Sequence, residues 1–198
     1  MSDDGEKIAG FLTLKREIID ETIQDEKCTN TALTIFIITI ILASIVNIAT
    51  WYSRWTSNNQ LTLLFGMATP IPTIFDIILE GVGQILFPLV GWYFVFYFGN
   101  KIGGIAQSKE HLMRAFGYSD ILLIISNLAG FLNLIAALSL LSGLIQVVFS
   151  FWFIIVIIYA TTIVFQKGAL TAIAAFLIGG FFAVIVVLLP ISILSFIF

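Results

Sequence analysis

Three polar residues are spaced so that one helical face would carry all of them. Asp76, Glu80 and Gln84 lie at i, i+4 and i+8, and residues four apart share a face of an α-helix. Ionisable groups within an apolar segment are costly and usually functional, so this face is a candidate proton or cation site. Counting back about 20 residues from Phe98, the thickness of a bilayer core, instead places Asp76 among headgroups and Glu80 at the core's outer edge. We favour this second interpretation.

Gln84 lies deeper in the same segment, four residues before Pro88. Proline has no N–H, so the carbonyl of Gln84 loses its helical partner. One position therefore offers both a side-chain amide and a free backbone acceptor. We favour a kink whose polar groups pair with a neighbouring helix. The alternative is a site in the middle of the membrane, of the broken-helix kind found in transporters.

Other chemistry has little support in the sequence. The single histidine, His111, and the single cysteine, Cys28, have no nearby cluster of further ligands, so we expect no metal site and no cofactor. No Ser/His/Asp set, phosphate-binding loop or pair of catalytic carboxylates is evident. We therefore predict no catalytic residue, no enzymatic activity and no nucleic-acid partner.

The composition indicates which elements position these residues. The chain is 60% hydrophobic and 11% charged, and residues 121–198 contain one charged residue, Lys167. Soluble proteins average about 25% charged residues. A spanning helix needs about 20 apolar residues, so this run is long enough for three crossings. Because the runs are apolar on every face, they favour helices over barrel strands. We predict an all-α integral membrane protein whose surroundings are the lipid bilayer.

The sequence divides into a tail, residues 1–30, and a domain of five transmembrane helices, residues 31–198. Apolar residues at helical spacing predict a short amphipathic helix in the tail, on the membrane surface or docked under the bundle. Ser119 and Asp120 are predicted to cap the third span, and Trp92 to belong to an interfacial aromatic belt. The predicted spans cover about 31–52, 73–98, 119–137, 144–165 and 169–197.

The basic residues predict the orientation of the helices. With five spans, Arg54 lies on one side of the membrane, and all other lysines and arginines lie on the opposite side: Lys7, Lys15, Arg16, Lys27, Lys101, Lys109, Arg114 and Lys167. Cytoplasmic loops carry an excess of such residues. We therefore expect a cytoplasmic N-terminus and an external C-terminus.

Small and amide side chains are candidates for helix packing. Ala175, Gly179 and Ala183 form a stripe that permits close approach of another helix, either within the chain, which we favour, or between the chains of a homo-oligomer. Asn127 and Asn133 can hydrogen-bond across helices.

The loop between the second and third spans, residues 99–117, contains a recognisable pattern. Its residues are Lys101, Gly103 and Gly104, followed by Arg114, Gly117 and Tyr118 at the start of an apolar span. This pattern, with the tail and five spans, resembles the Yip domain family, the Ypt/Rab-interacting membrane proteins. The tail lacks the Asp-Leu-Tyr-Gly-Pro run of eukaryotic members, so the chain is more similar to the prokaryotic branch.

The resemblance implies a non-enzymatic adaptor or organiser in membrane or vesicle traffic. A cytoplasmic protein partner would then bind the tail and the 99–117 loop. The location would be the cell membrane in a prokaryote, or the endoplasmic reticulum and Golgi in a eukaryote. The alternative, from the residues alone, is a small ion or solute transporter or channel that uses the polar groups of the second span.

Overall fold

The computed structural model describes residues 4–65, 74–106 and 108–197, without the side chains of residues 51, 53–65, 74–77, 80, 136 and 195–197. Within these residues the fold is all-helical. The α-helices in chain order are α1 (Asp4–Leu12), α2 (Arg16–Gln24), α3 (Cys28–Phe65), α4 (Ile74–Lys101), α5 (Lys109–Ser119), α6 (Ile121–Gly130), α7 (Ser139–Phe165), α8 (Ala169–Ala183) and α9 (Leu189–Ile197). Two 3₁₀ turns, Phe131–Leu134 and Ala136–Leu138, join α6 to α7, and a π-helical stretch, Val184–Leu188, joins α8 to α9.

Five helical stretches of the described chain are long and apolar enough to cross a membrane. They are Cys28–Thr50, Gly81–Lys101, Lys109–Leu134, Ser139–Phe165 and Ala169–Leu194. Each exceeds the roughly 20 residues that a bilayer core requires. Their outer faces expose many large aliphatic side chains, as expected where lipid replaces water. The prediction of five apolar helices is therefore confirmed, and these helices indicate an integral membrane protein.

The five membrane helices pack as two groups. Helix α3 packs mainly on α5 and α6, and α6 on α7, whereas α4 packs mainly on α8. The close approach of α8 to α4 depends on Gly179, because a Cβ there would lie 2.7 Å from the backbone nitrogen of Val95. Ala175 and Ala183 on the same stripe are fully buried. Helices α3 and α4 are consecutive in the chain but share few contacts, which leaves space between them.

The third membrane helix begins earlier than the sequence predicts. Helix α5 lies largely within the segment predicted as a loop, and the Ser108 side chain caps its first turn. The prediction that Ser119 and Asp120 form the cap is wrong. Ser119 Oγ donates a hydrogen bond to the Ala115 carbonyl at 2.7 Å, and the Asp120 side chain caps no N–H group. Arg114 is the buried charged residue of α5, and its guanidinium has acceptors on Ile23 and Thr29, whereas Lys109 stays exposed.

The tail folds as two helices, α1 and α2, that dock under the bundle. Phe11 and Ile23 are fully buried, and the Phe11 ring stacks on Tyr118 with 5.3 Å between ring centroids. The Arg114 guanidinium donates hydrogen bonds to the Ile23 carbonyl and, at 2.9 Å, to Thr29 Oγ1. Of the two placements that the sequence allowed, docking under the bundle is the one observed. We refer to residues 4–24, which comprise α1, α2 and their connection, as the tail cap.

A charged pair fastens the tail cap to the start of α3. Lys7 Nζ lies 2.9 Å from Cys28 Sγ and 3.0 Å from Asp25 Oδ2. The hydrogen bonds to Cys28 and Asp25 raise the pKa of Lys7 above its ordinary value, although burial opposes this. The bond from Lys7, together with the backbone N–H of Lys27, lowers the pKa of Asp25 to about 2. Both groups therefore stay charged at neutral pH, and Cys28 is buried beneath them.

Candidate functional site

A cavity of about 910 Å³ lies between the two groups of membrane helices. One wall is a single face of α4, formed by Leu79, Gly83, Gln84, Phe87, Pro88, Gly91, Trp92 and Val95. At 1.5 Å per residue this wall is about 24 Å long. Helices α3, α5, α6, α7, α8 and α9 supply the other walls, and most of the lining side chains are apolar. Ligand sites in proteins are typically apolar cavities of this size with a few placed polar groups.

Two residues of the predicted polar face line this cavity. Gln84 accepts a hydrogen bond from Ser44 Oγ at 2.8 Å, which joins α4 to α3. Pro88 lies inside α4 one turn further on. The bond to α3 is the pairing with a neighbouring helix that the kink interpretation expects. Gln84 also lines the cavity, as the alternative of a binding site in the middle of the membrane expects. The side chains of Asp76 and Glu80 lie outside the described part of the chain.

Asp120 lies at the junction of α5 and α6 and lines the cavity. It is 5% exposed, and within the described chain no hydrogen bond reaches its carboxyl group. Thr39 Oγ1 contacts its backbone carbonyl instead, at 3.4 Å. Burying a carboxylate without a partner costs several kcal/mol, so the charged form needs a cation beside it.

Four aromatic rings that line the same cavity as Asp120 form a cluster, which we call the aromatic cluster. Trp92 lies 4.6 Å from Phe36 and 5.6 Å from Phe116, and Phe116 lies 5.3 Å from Phe176, all between ring centroids. The prediction that Trp92 sits in an interfacial belt is wrong, because the side chain is 8% exposed and faces inward. Its indole N–H has no hydrogen-bond partner in the described structure. Buried indole N–H groups usually have one, so a polar ligand atom could fill this role.

The sequence contains a further signal for this site, in the spacing of three residues. Phe116, Asp120 and Asn127 are four and seven residues apart, which puts them on one face of a helix. All three line the cavity. Asn127 also donates a hydrogen bond to the Thr39 carbonyl at 3.4 Å, across to α3. Asn133, the other amide considered for packing, lies half-buried in the first 3₁₀ turn and away from the cavity.

The residues that resemble the Yip pattern lie elsewhere. Lys101 and Gly103 are exposed, and the φ angle of +103° at Gly103 favours glycine. Gly104, Arg114, Gly117 and Tyr118 pack inside the protein. A Cβ at Gly117, for example, would lie 2.5 Å from the backbone oxygen of Ala32. The buried residues of the pattern therefore pack the 99–117 segment against the tail cap and the neighbouring helices.

Among the described residues, no group of three or more His, Cys, Asp or Glu side chains could hold a metal ion. Comparison of the chain with protein-family models, curated proteins and solved structures finds no match.

Proposed function

We propose that the protein is a small-solute carrier that binds its solute inside the membrane, in the cavity between α3 and α4. The observation that carries this proposal is the elongated cavity itself, which reaches Gln84 and contains a buried carboxyl group. The cavity is partly open to its surroundings, and its volume of about 910 Å³ lies in the range of ligand sites in proteins, which is about 300–1,000 Å³.

The packing of the helices also suits a carrier. The cavity lies where two helix groups meet, and α3 and α4 share few contacts across it. Carriers expose a central site by moving one helix group against another, with binding residues near the break in a discontinuous helix. Here α4 is continuous, but Pro88 lies inside it at the cavity wall, one turn after Gln84, and a proline supplies no backbone N–H.

Filling the cavity tests the proposal. Gly180 lines it, and a Cβ added there would meet no heavy atom within 4 Å, so Gly180→Leu can fold with its side chain in the chamber. N-phenyl-1-naphthylamine, a neutral apolar fluorophore, should bind saturably to the protein in lipid nanodiscs. Gly180→Leu should weaken this binding about tenfold, because the leucine side chain would occupy space that the fluorophore needs.

Gly143→Leu is the matched control. Gly143 also has open space around its Cβ position, but it does not line the cavity. The Gly143→Leu variant should therefore bind the fluorophore as tightly as the wild type does. A signal no larger than that of empty nanodiscs, or full binding by Gly180→Leu, would contradict the carrier proposal.

A second candidate function follows from the outer face of the tail cap. Glu17, Asp20 and Glu21 are all exposed on α2, while its opposite face is buried. We propose on this ground, and on the resemblance to the Yip family, an adaptor that offers the tail cap and the 99–117 segment to a basic protein partner. The tail would lie in the cytoplasm and the C-terminus outside.

Charge reversal on this face tests the adaptor. Replacing Glu17, Asp20 and Glu21 together by lysine should abolish partner capture from native membranes without disturbing the buried face of α2. Deleting the tail would be a poorer test, because it uncovers Tyr118 and Arg114. A control that exchanges Asp and Glu at the three positions should keep the partner. Identical partners for the reversed and wild-type proteins would rule this candidate out.

A further inference from the structure

We propose that the cavity takes an amphiphilic cation, an ammonium group on an elongated apolar body, with Asp120 as its counter-ion. This inference rests on the proposed carrier function, because it names the chemical class of the solute. It combines four features of the cavity: an unpaired carboxyl, the lack of a basic residue on the described walls, the aromatic cluster, and the length of the chamber.

The carboxyl group of Asp120 has no partner within the described protein. It is 5% exposed, it caps no helix, and no lysine, arginine or histidine is among the described residues that line the cavity. The Thr39 hydroxyl contacts only the backbone carbonyl of Asp120, at 3.4 Å, and not its carboxyl group. An unpaired buried carboxyl can stay neutral by holding a proton, whereas its charged form needs a cation, and no described residue of the cavity wall supplies one. A ligand cation would fill this role.

The aromatic cluster selects for positive charge at the same place. Phe116 lies one helical turn before Asp120, and Phe36 lies one turn before Thr39, which contacts Asp120. Trp92 joins the two phenylalanines, with ring centroids 4.6 and 5.6 Å away. Cations are attracted to the faces of such rings, most strongly to Trp. An ammonium group therefore gains from both carboxylate and rings, whereas a neutral group lacks the charge pairing and an anion would be repelled.

The remainder of the chamber suits an apolar body. From Trp92 the wall of α4 continues to Leu79, about 20 Å at the helical rise. Leu188 and Ile191 also line this part of the cavity, and Gln84, the polar residue on that stretch of α4, already accepts a hydrogen bond from Ser44. A charged head at Asp120 and an extended apolar chain along α4 would fill this shape.

Two ligands of equal chain length test the inference. Dodecylamine, which is charged at neutral pH, and 1-dodecanol should each displace N-phenyl-1-naphthylamine from the protein in nanodiscs, with partition into empty nanodiscs measured and subtracted. The amine should act at about ten- to a hundredfold lower concentration, the range expected for a hydrogen bond to a charged group. Asp120→Asn should abolish this difference and leave displacement by dodecanol unchanged.

Asp20→Asn is the matched control, the same substitution at an exposed carboxylate of α2, and should keep the preference for the amine. Phe116→Leu is an independent variant, since losing one ring should lower the preference even if Asp120→Asn does not fold. Equal displacement by the two ligands, or a preference that survives in Asp120→Asn, would overturn the inference and leave the carrier proposal standing. A wild type that binds no fluorophore would overturn both.

Discussion

Truncating Phe11 should uncover the single cysteine of the protein. Phe11 is fully buried in the tail cap against Tyr118, and Cys28 is 1% exposed beneath that cap. A reagent can reach Cys28 only when the cap opens. Truncating a buried phenylalanine to alanine costs about 3–5 kcal/mol. If this cost falls on cap opening, the open population should rise about a hundred- to a few thousandfold.

Maleimide labelling of Cys28 measures this population. The rate is followed by mass spectrometry on protein in nanodiscs at neutral pH, with detergent-unfolded protein as the upper limit. Phe11→Ala should label far faster than the wild type. Glu17→Ala, which alters an exposed residue of α2, should label as slowly as the wild type. A wild type that labels as fast as unfolded protein, or a Phe11→Ala variant that labels at the wild-type rate, would refute the docked tail cap.

Three further predictions concern docking, packing and orientation. The pair of Lys7 and Asp25 should stabilise docking fully between pH 3.8 and pH 10.5, the ordinary pKa values of the two groups. Docking lowers the pKa of Asp25 and raises the pKa of Lys7, so both groups are charged throughout this range. Near-UV circular dichroism should show this contribution fading as pH falls towards 2 or rises past 10.5. Gly117→Ala should lower thermal stability by about 1–3 kcal/mol through its clash with Ala32, whereas Gly143→Ala, with open space, should be neutral or slightly stabilising. Reporters fused to the two termini should lie on opposite sides of the membrane; reporters on one side would contradict the positive-inside argument.

The membrane helices could be predicted from the sequence because their signal is local. Residues 121–198 contain one charge, and every helix in that run can be recognised from composition and length. The buried face of the tail was also readable, since Phe11, Ile19 and Ile23 recur at helical spacing among charged residues. These patterns depend on the residues themselves and not on what surrounds them.

The candidate site could not be predicted in this way because it depends on tertiary contacts. Ser119 followed by Asp120 at the edge of an apolar run is a good cap signal, yet α5 begins earlier, where the tail cap packs on Leu112, Ala115 and Tyr118. Trp92 and Tyr93 are adjacent aromatic residues near a helix end, but one is 8% and the other 60% exposed. Which of them faces lipid depends on the rotation of α4 against α8, and the sequence does not specify that rotation.

Helix α5 connects the two parts of the molecule for which functions are proposed. Leu112, Ala115 and Tyr118 pack towards the tail cap, whereas Phe116 and Asp120 line the cavity. Because both sets belong to one short helix, a movement that releases the cap would also move the counter-ion and one ring of the aromatic cluster. A ligand held by those groups would lose its contacts with them when the cap opens. Binding of the ligand would therefore stabilise the docked cap by the free energy of those contacts. The carrier and adaptor proposals are therefore linked physically, since occupancy of the cavity would alter how firmly the surface of the tail cap is presented to a partner.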